Sequence, residues 1–342
     1  MTTRSVILAA LLAALGRPSW WLLALAGFLV RGGLLLFILA IVSLPSPLVV
    51  SNIVAPLIVP LALGQFDAGT LAVLGAAVAF VATWLLGGAW VAAAIEIVLV
   101  RDARQAMVDE GLPVRPAAGS GSWLSIRVVA GRMLAHVPTV LAVGIGSVSI
   151  ANVAYVELTD PFEVATPLVV RVIAGAAGPI AAIVVIWLLG EIVGGLAGRR
   201  MILQGASVLG GLRIALRDIV RRPLGTLGSA LGTTLVLAID LAAMLAAVAF
   251  VWTQVQARLI DSLADGPTLT IALLAFGATW IGALALTGLI DAWRSAAQTF
   301  EAERAATADV TRADQAPDHD PIGASPGRRP GDWSIGGGGD SL

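Results

Sequence analysis

One segment of this chain occurs three times in order. Each copy has an arginine-flanked stretch, a proline, an apolar run, a turn, and a second apolar run containing Trp-x-x-Gly or Trp-x-Gly. The prolines are Pro18, Pro138 and Pro223, and the tryptophans are Trp84, Trp187 and Trp280, followed by Gly87, Gly190 and Gly282. Two of the second runs carry matching pairs, Ile95-Glu96 and Ile290-Asp291. A unit that recurs in fixed order constrains architecture before any local propensity does. The apolar runs exceed the ~20 residues a helix needs to cross ~30 Å of hydrocarbon. The expected unit is therefore a helical hairpin in a membrane, preceded by an amphipathic helix on its surface.

Composition agrees with an all-α, polytopic integral membrane protein. The chain is 58% hydrophobic and 13% charged, with a mean hydropathy of +0.92; soluble domains carry about 25% charged residues. A net charge of -1 gives no case for nucleic acid. With no cysteine there is no disulfide, thiol nucleophile or thiolate metal site. Every basic residue is arginine, which fits the coding bias of a GC-rich bacterial genome. Gly16-Arg17-Pro18 interrupts the first apolar run, so residues 1–17 read as an interfacial helix rather than a cleaved signal peptide.

Six spans are expected, near residues 19–43, 69–99, 138–158, 167–197, 224–254 and 268–293. The apolar segment Pro45–Gln65 is broken by four prolines and is expected to be interfacial or re-entrant. Arginine distribution sets the orientation. Arg4, Arg17, Arg101, Arg104, Arg115, Arg127, Arg132, Arg199, Arg200, Arg213, Arg217, Arg221, Arg222 and Arg294 fall on one side, with the arginines of the C-terminal tail. The opposite loops hold Asp67, Glu157, Asp160, Glu163, Asp261 and Asp265, with Arg258 and the boundary residue Arg171. The positive-inside rule then places both termini in the cytoplasm, with the chain in the bacterial cytoplasmic membrane. The expected organisation is a transmembrane domain over 1–300, with hairpins near 1–104, 123–200 and 205–295 in a pseudo-threefold arrangement. Residues 301–342 are too polar and small to bury a core and are expected to form a disordered cytoplasmic tail. The linker Asp109–Ser122 is expected to be a flexible loop.

Three groups of residues invite a functional reading. In Ser207–Arg222, Leu209, Leu212, Leu216 and Ile219 recur at three-to-four spacing, with Arg213, Arg217 and Arg221 on another face. Trp123–His136 is a weaker copy containing Arg132. Such helices suit a lipid headgroup layer, where anionic lipids attract about 1 kcal/mol per arginine. Arg132, Arg213, Arg217, Arg221 and Arg222 are therefore candidate headgroup-binding residues, although these helices could simply fix topology. The second group is ionisable residues within spans. Glu96 and Asp291 lie close enough to Arg101 and Arg294 to snorkel toward the interface. Arg31 lies roughly 20 Å past Pro18 and Asp240 roughly 25 Å past Pro223, and Glu191 lies roughly 12 Å from Arg199, at 1.5 Å rise per residue. A charge at that depth calls for a partner or a wet cavity. Arg31, Glu191 and Asp240 form the candidate intramembrane cluster, with Asp240 the first expected partner of Arg31. The third group is glycines: Gly190, Gly194 and Gly198, and Gly228 and Gly232, have GxxxG spacing and suit close helix packing.

The run Arg199-Arg-Met-Ile-Leu-Gln-Gly-Ala-Ser-Val-Leu-Gly-Gly-Leu-Arg-Ile-Ala-Leu-Arg-Asp-Ile-Val-Arg-Arg-Pro223 resembles bacterial multi-span proteins of the glycerophosphodiester phosphodiesterase membrane-domain type. There a surface helix with an Ala-Leu-Arg core precedes a long span more than once. The resemblance covers about residues 1–295 and implies a membrane fold. In the fused enzymes the chemistry belongs to a separate soluble domain with no counterpart in this sequence, so no active-site residue carries over.

No H-E-x-x-H, P-loop or G-x-S-x-G motif occurs, and the two histidines, His136 and His319, stand apart. The chain is thus expected to be non-catalytic, with no cofactor and no bound metal. Its expected partners are membrane lipids, anionic on the cytoplasmic face, with a protein partner or a second copy also open. A lipid-associated scaffold or accessory subunit is one expectation. A transporter or lipid-translocating permease using Arg31, Glu191 and Asp240 is the other. A dry bundle favours the first; a water-accessible cavity reaching those residues favours the second.

Overall fold

Proline sets where two of the long helices begin. Pro18 and Pro223 each occupy the first position of a helix, where the missing N–H is needed by no partner and φ is already helical. The computed structural model describes residues 3–42, 68–112, 114, 123–159, 168–260 and 266–315, and among these every regular element is helical. In order they are α1 (Thr3–Leu15), α2 (Pro18–Phe28), a π-helical turn (Leu29–Gly33), α3 (Leu34–Leu39), α4 (Ala68–Asp109), α5 (Leu124–Ala135), α6 (Val137–Thr159), α7 (Leu168–Gly175), α8 (Ala177–Gln204), α9 (Val208–Arg221), α10 (Pro223–Ile260) and α11 (Gly266–Gln315). Pro45–Gln65 and most of the Asp109–Ser122 linker lie outside the described residues.

Six helical stretches are long and apolar enough to cross a membrane: Pro18–Leu39, Ala68–Asp109, Leu124–Glu157, Ala177–Gln204, Pro223–Ile260 and Gly266–Ala308. The third differs from expectation. The chain keeps near-helical geometry at His136, with φ -94° and ψ 0°, so the helix expected to lie on the surface instead leads straight into the span. Two helices stop at left-handed glycines. At the end of α4, Gly111 (φ 68°) donates to Val108 and Leu112 donates to Met107; at the end of α8, Gly205 (φ 66°) donates to Met201. Both endings satisfy carbonyls that the helix leaves free.

Three pairs of long helices that follow one another in the chain, α2–α4, α6–α8 and α10–α11, run antiparallel. Arg17 reaches the Asp102 carbonyl at one end of the α2–α4 contact, and the Val30 carbonyl would lie 2.9 Å from a Cβ on Gly88 at the other. Thr139 of α6 donates to Ile186 of α8. In α10 and α11, Asp240 meets Thr287, and Trp252 meets Phe276 with ring centroids 5.1 Å apart. Gly190, Gly194 and Gly198 let α8 approach Val128, Arg132 and Ala135 of α5, as their spacing implied. Gly228 and Gly232 meet nothing within 4 Å, so their matching spacing marks no helix contact.

Most of the buried core gathers at one end. Val6, Ala10 and Ala14 of α1 pack with Leu99, Ala103 and Ala106 of α4 and Ala296, Ala297 and Phe300 of α11. Val100, Val128, Ala197 and Met201 form a second cluster. At the other end α4 exposes Val73, Val78, Phe80, Trp84, Leu85 and Trp90. A helix that is apolar all round and unburied by its own chain suits lipid.

The boundary placed at residue 301 falls inside α11, which continues to Gln315. Ala302, Ala305 and Ala306 are buried there, with Glu301 and Glu303. Arg200 and Arg222 donate to the carbonyls of Ala302 and Ala305, and Arg104 donates to Glu303. Arginines from α4, α8 and the α9–α10 junction supply the contacts that composition alone did not reveal. Residues 316–342 lie outside the described part.

Candidate functional site: a charged cavity between the helices

The described helices enclose a polar cavity whose walls come from α2, α4, α5, α8, α10 and α11. Ala24, Gly27 and Arg31 supply one wall at helical spacing, and Arg31 itself stands in the π-helical turn. Glu96 comes from α4 and Arg132 from α5; Glu191, Gly195 and Arg199 come from α8. Thr234 of α10 faces Asp291, Arg294, Ser295 and Gln298 of α11, which fall at i, i+3, i+4 and i+7 and so share one face. The small side chains keep the space open. About 30 Å³ is free to water-sized molecules, room for about two waters or one small ionic group.

The charges form a network rather than isolated pairs. Glu96 is buried between two guanidiniums, with Arg132 Nη2 2.6 Å from Oε2 and Arg199 Nη1 3.8 Å from Oε1. Arg199 also donates to the Gly195 carbonyl at 2.9 Å. His136 Nε2 lies 3.4 Å from Glu191 Oε1, and its Nδ1 lies 2.9 Å from the Arg132 carbonyl. Arg294 donates to Asp291 at 3.0 Å within one turn of α11. Bringing so many charges out of water is favourable only where the partners are well placed.

The backbone breaks beside this network. Gly32 has φ 111° inside a segment that is otherwise helical on both sides. Glycine adopts that conformation without a Cβ penalty. Irregular backbone at membrane depth is tolerated where it lines a cavity.

Of the expected intramembrane cluster, Arg31 and Glu191 do line one cavity, and Asp240 does not. Asp240 is buried elsewhere between α10 and α11, where its carboxylate accepts from Thr287 at 3.2 Å. The expected Arg31–Asp240 pair is therefore not formed. Glu96 was expected to snorkel toward Arg101, but it turns inward to Arg132 and Arg199 because cross-helix guanidiniums neutralise it there. Asp291 does pair with Arg294, yet both face the cavity. Of the expected headgroup residues, Arg132 is committed to Glu96 and Arg222 to the Ala305 carbonyl. Arg213, Arg217 and Arg221 are exposed on α9. That helix buries Gly211, Ala215 and Asp218 and leaves Leu209, Leu216 and Val220 exposed.

Sequence reasoning missed Arg199, Arg294, Ser295 and Gln298 as site residues. The two arginines were absorbed by the positive-inside pattern. The usable signal was the polar stripe Asp291-Arg294-Ser295-Gln298 on one helix face. Among the described residues no group of three or more His, Asp and Glu converges as a metal site would.

No protein-family model, curated protein or solved structure matches this chain. Among the described residues the chain is all-helical, with six helices long and apolar enough to cross a membrane.

Proposed function

We propose that this chain is a non-catalytic transport protein of a bacterial cytoplasmic membrane that moves an anionic solute or lipid headgroup through its charged cavity. The carrying observation is Arg31 on a broken helix, lining a polar cavity with Glu191, Glu96 and three further arginines. Discontinuous membrane helices beside a central polar site are the usual construction of transporters, because unwound backbone can both bind and rearrange. A scaffold has no need of a polar cavity among its spans. Both termini are assigned to the cytoplasm by the arginine asymmetry, and the three antiparallel pairs are taken as three hairpins. In this reading α9 rests in the headgroup layer, with Leu209, Leu216 and Val220 toward lipid and Arg213, Arg217 and Arg221 toward anionic phosphates.

The chain has no cysteine, so Ser295→Cys carries a single thiol at the cavity wall. A membrane-impermeant thiol reagent should label it in vesicles when applied from either face in separate experiments. Val248→Cys, at a position with no exposed surface in an aromatic cluster, should stay unlabelled. Labelling of Ser295→Cys no faster than Val248→Cys would overturn the proposal and return the protein to the scaffold class. Labelling from one face alone would reduce the site to a binding pocket.

A further inference from the structure

The balance of charge in the cavity identifies what it binds. Arg31, Arg132, Arg199 and Arg294 face Glu96, Glu191 and Asp291. Each carboxylate already has a cation or an imidazole: Glu96 has Arg132 and Arg199, Asp291 has Arg294, and Glu191 has the His136 ring. Arg31 is left over. Among the described residues it has no hydrogen bond or ion pair, and it keeps exposed surface while lining the cavity.

Donors are in excess as well as charge. Arg132 Nε and Arg199 Nε are buried without an acceptor. The one carboxylate oxygen of the network outside hydrogen-bond geometry, Glu96 Oε2, still lies 2.6 Å from Arg132 Nη2. A guanidinium stays protonated and presents a planar fork of donors that fits an oxyanion. Leaving it bare within a membrane is costly.

We infer that the cavity binds an oxyanion, with Arg31 as its direct ligand and the hydroxyl-bearing Thr234 and Ser295 lining the same cavity. The unmatched guanidinium calls for a negative charge. The free space of about 30 Å³ admits the charged group and excludes an acyl chain. That oxyanion is either the phosphate of an anionic phospholipid headgroup, with its chains left in the bilayer, or a small anion from water. The inference rests on the transport reading for its biological use, but binding can be tested without transport.

The test measures binding to the purified full chain in neutral detergent, by thermal stabilisation, with three probes. These are dihexanoyl phosphatidylglycerol, dihexanoyl phosphatidylcholine and sodium phosphate near pH 6, where the monoanion dominates. The anionic lipid or phosphate, or both, should bind saturably, and the zwitterionic lipid should not. Binding by the lipid alone names the headgroup as source; binding by phosphate alone names the free anion. Arg31→Gln should weaken the bound probe at least tenfold, and it should fold because Arg31 holds no internal partner. Arg31→Lys, which keeps the charge, should retain part of the affinity. Arg127→Gln, exposed and outside the cavity, should bind as the unaltered protein does. Equal binding of the zwitterionic lipid, unaltered binding by Arg31→Gln, or no binding of either anion overturns the inference. Anion binding together with an unlabelled Ser295→Cys would instead overturn the transport reading and leave the oxyanion site standing.

Discussion

Arg200 donates two hydrogen bonds to one oxygen of Asp218, at 3.0 Å from Nε and 2.5 Å from Nη2, with both side chains buried. Its remaining Nη1 donates to the Ala302 carbonyl at 3.1 Å. This one side chain ties the end of α8 to α9 and to the extension of α11. Asp218→Ala should lower stability by about 3–5 kcal/mol, because it strands a buried guanidinium. The double change Arg200→Met with Asp218→Leu should recover much of that loss. Thermal unfolding in detergent reads both; additive losses would show that the two side chains are not coupled.

The two sets of spaced glycines should respond differently. A Cβ on Gly190 would lie 3.2 Å from the Ala135 carbonyl and 3.3 Å from Thr139 Oγ1. Gly190→Leu should therefore cost about 1–3 kcal/mol through overpacking. Gly232→Leu meets open space and should change the unfolding temperature little. Equal responses would contradict the assignment of the α5–α8 contact as the tight one.

Ending the chain after Phe300 removes the Ala302 and Ala305 carbonyls and Glu303, which serve Arg200, Arg222 and Arg104. The buried Arg200 donor that loses its acceptor costs about 1–3 kcal/mol. The truncated protein should unfold at a lower temperature than the full chain in the same detergent. An unchanged midpoint would mean that these contacts add nothing to stability.

A peptide spanning Ser207–Arg222 should bind anionic vesicles, and added salt should weaken it because exposed charges are screened within about 10 Å at 0.1 M ionic strength. Vesicle co-sedimentation at two salt concentrations measures this. Identical binding to neutral vesicles would remove the electrostatic part of the α9 assignment.

Orientation is open to the same single-thiol approach. Arg127 is exposed on α5. Arg127→Cys should be shielded from an impermeant reagent in intact cells and should react in inverted vesicles. A reporter fused after Leu342 should signal from the cytoplasm. Labelling of Arg127→Cys from outside would invert the topology.

The sequence by itself determined the number of long apolar helices, where two of them start, and that charged residues stand within them. Those features follow from local chemistry: length against bilayer thickness, proline's missing N–H, and the cost of burying an ion. It also carried the α5–α8 contact in the spacing of Gly190, Gly194 and Gly198. Only the tertiary structure decided which charge meets which. Depth counted along each helix put Arg31 nearest Asp240, but depth says nothing about which face a side chain occupies. Asp240 turns toward Thr287, while Arg31 turns toward Glu96, Glu191 and Asp291 across a cavity walled by six helices. The same limit applies at the end of α11. Alanines and glutamates after residue 300 read as a soluble tail until Arg104, Arg200 and Arg222, up to 199 residues away in the chain, bind them. A charge's partner in a bundle is fixed by helix rotation and neighbour order, which are long-range properties that no window of sequence contains.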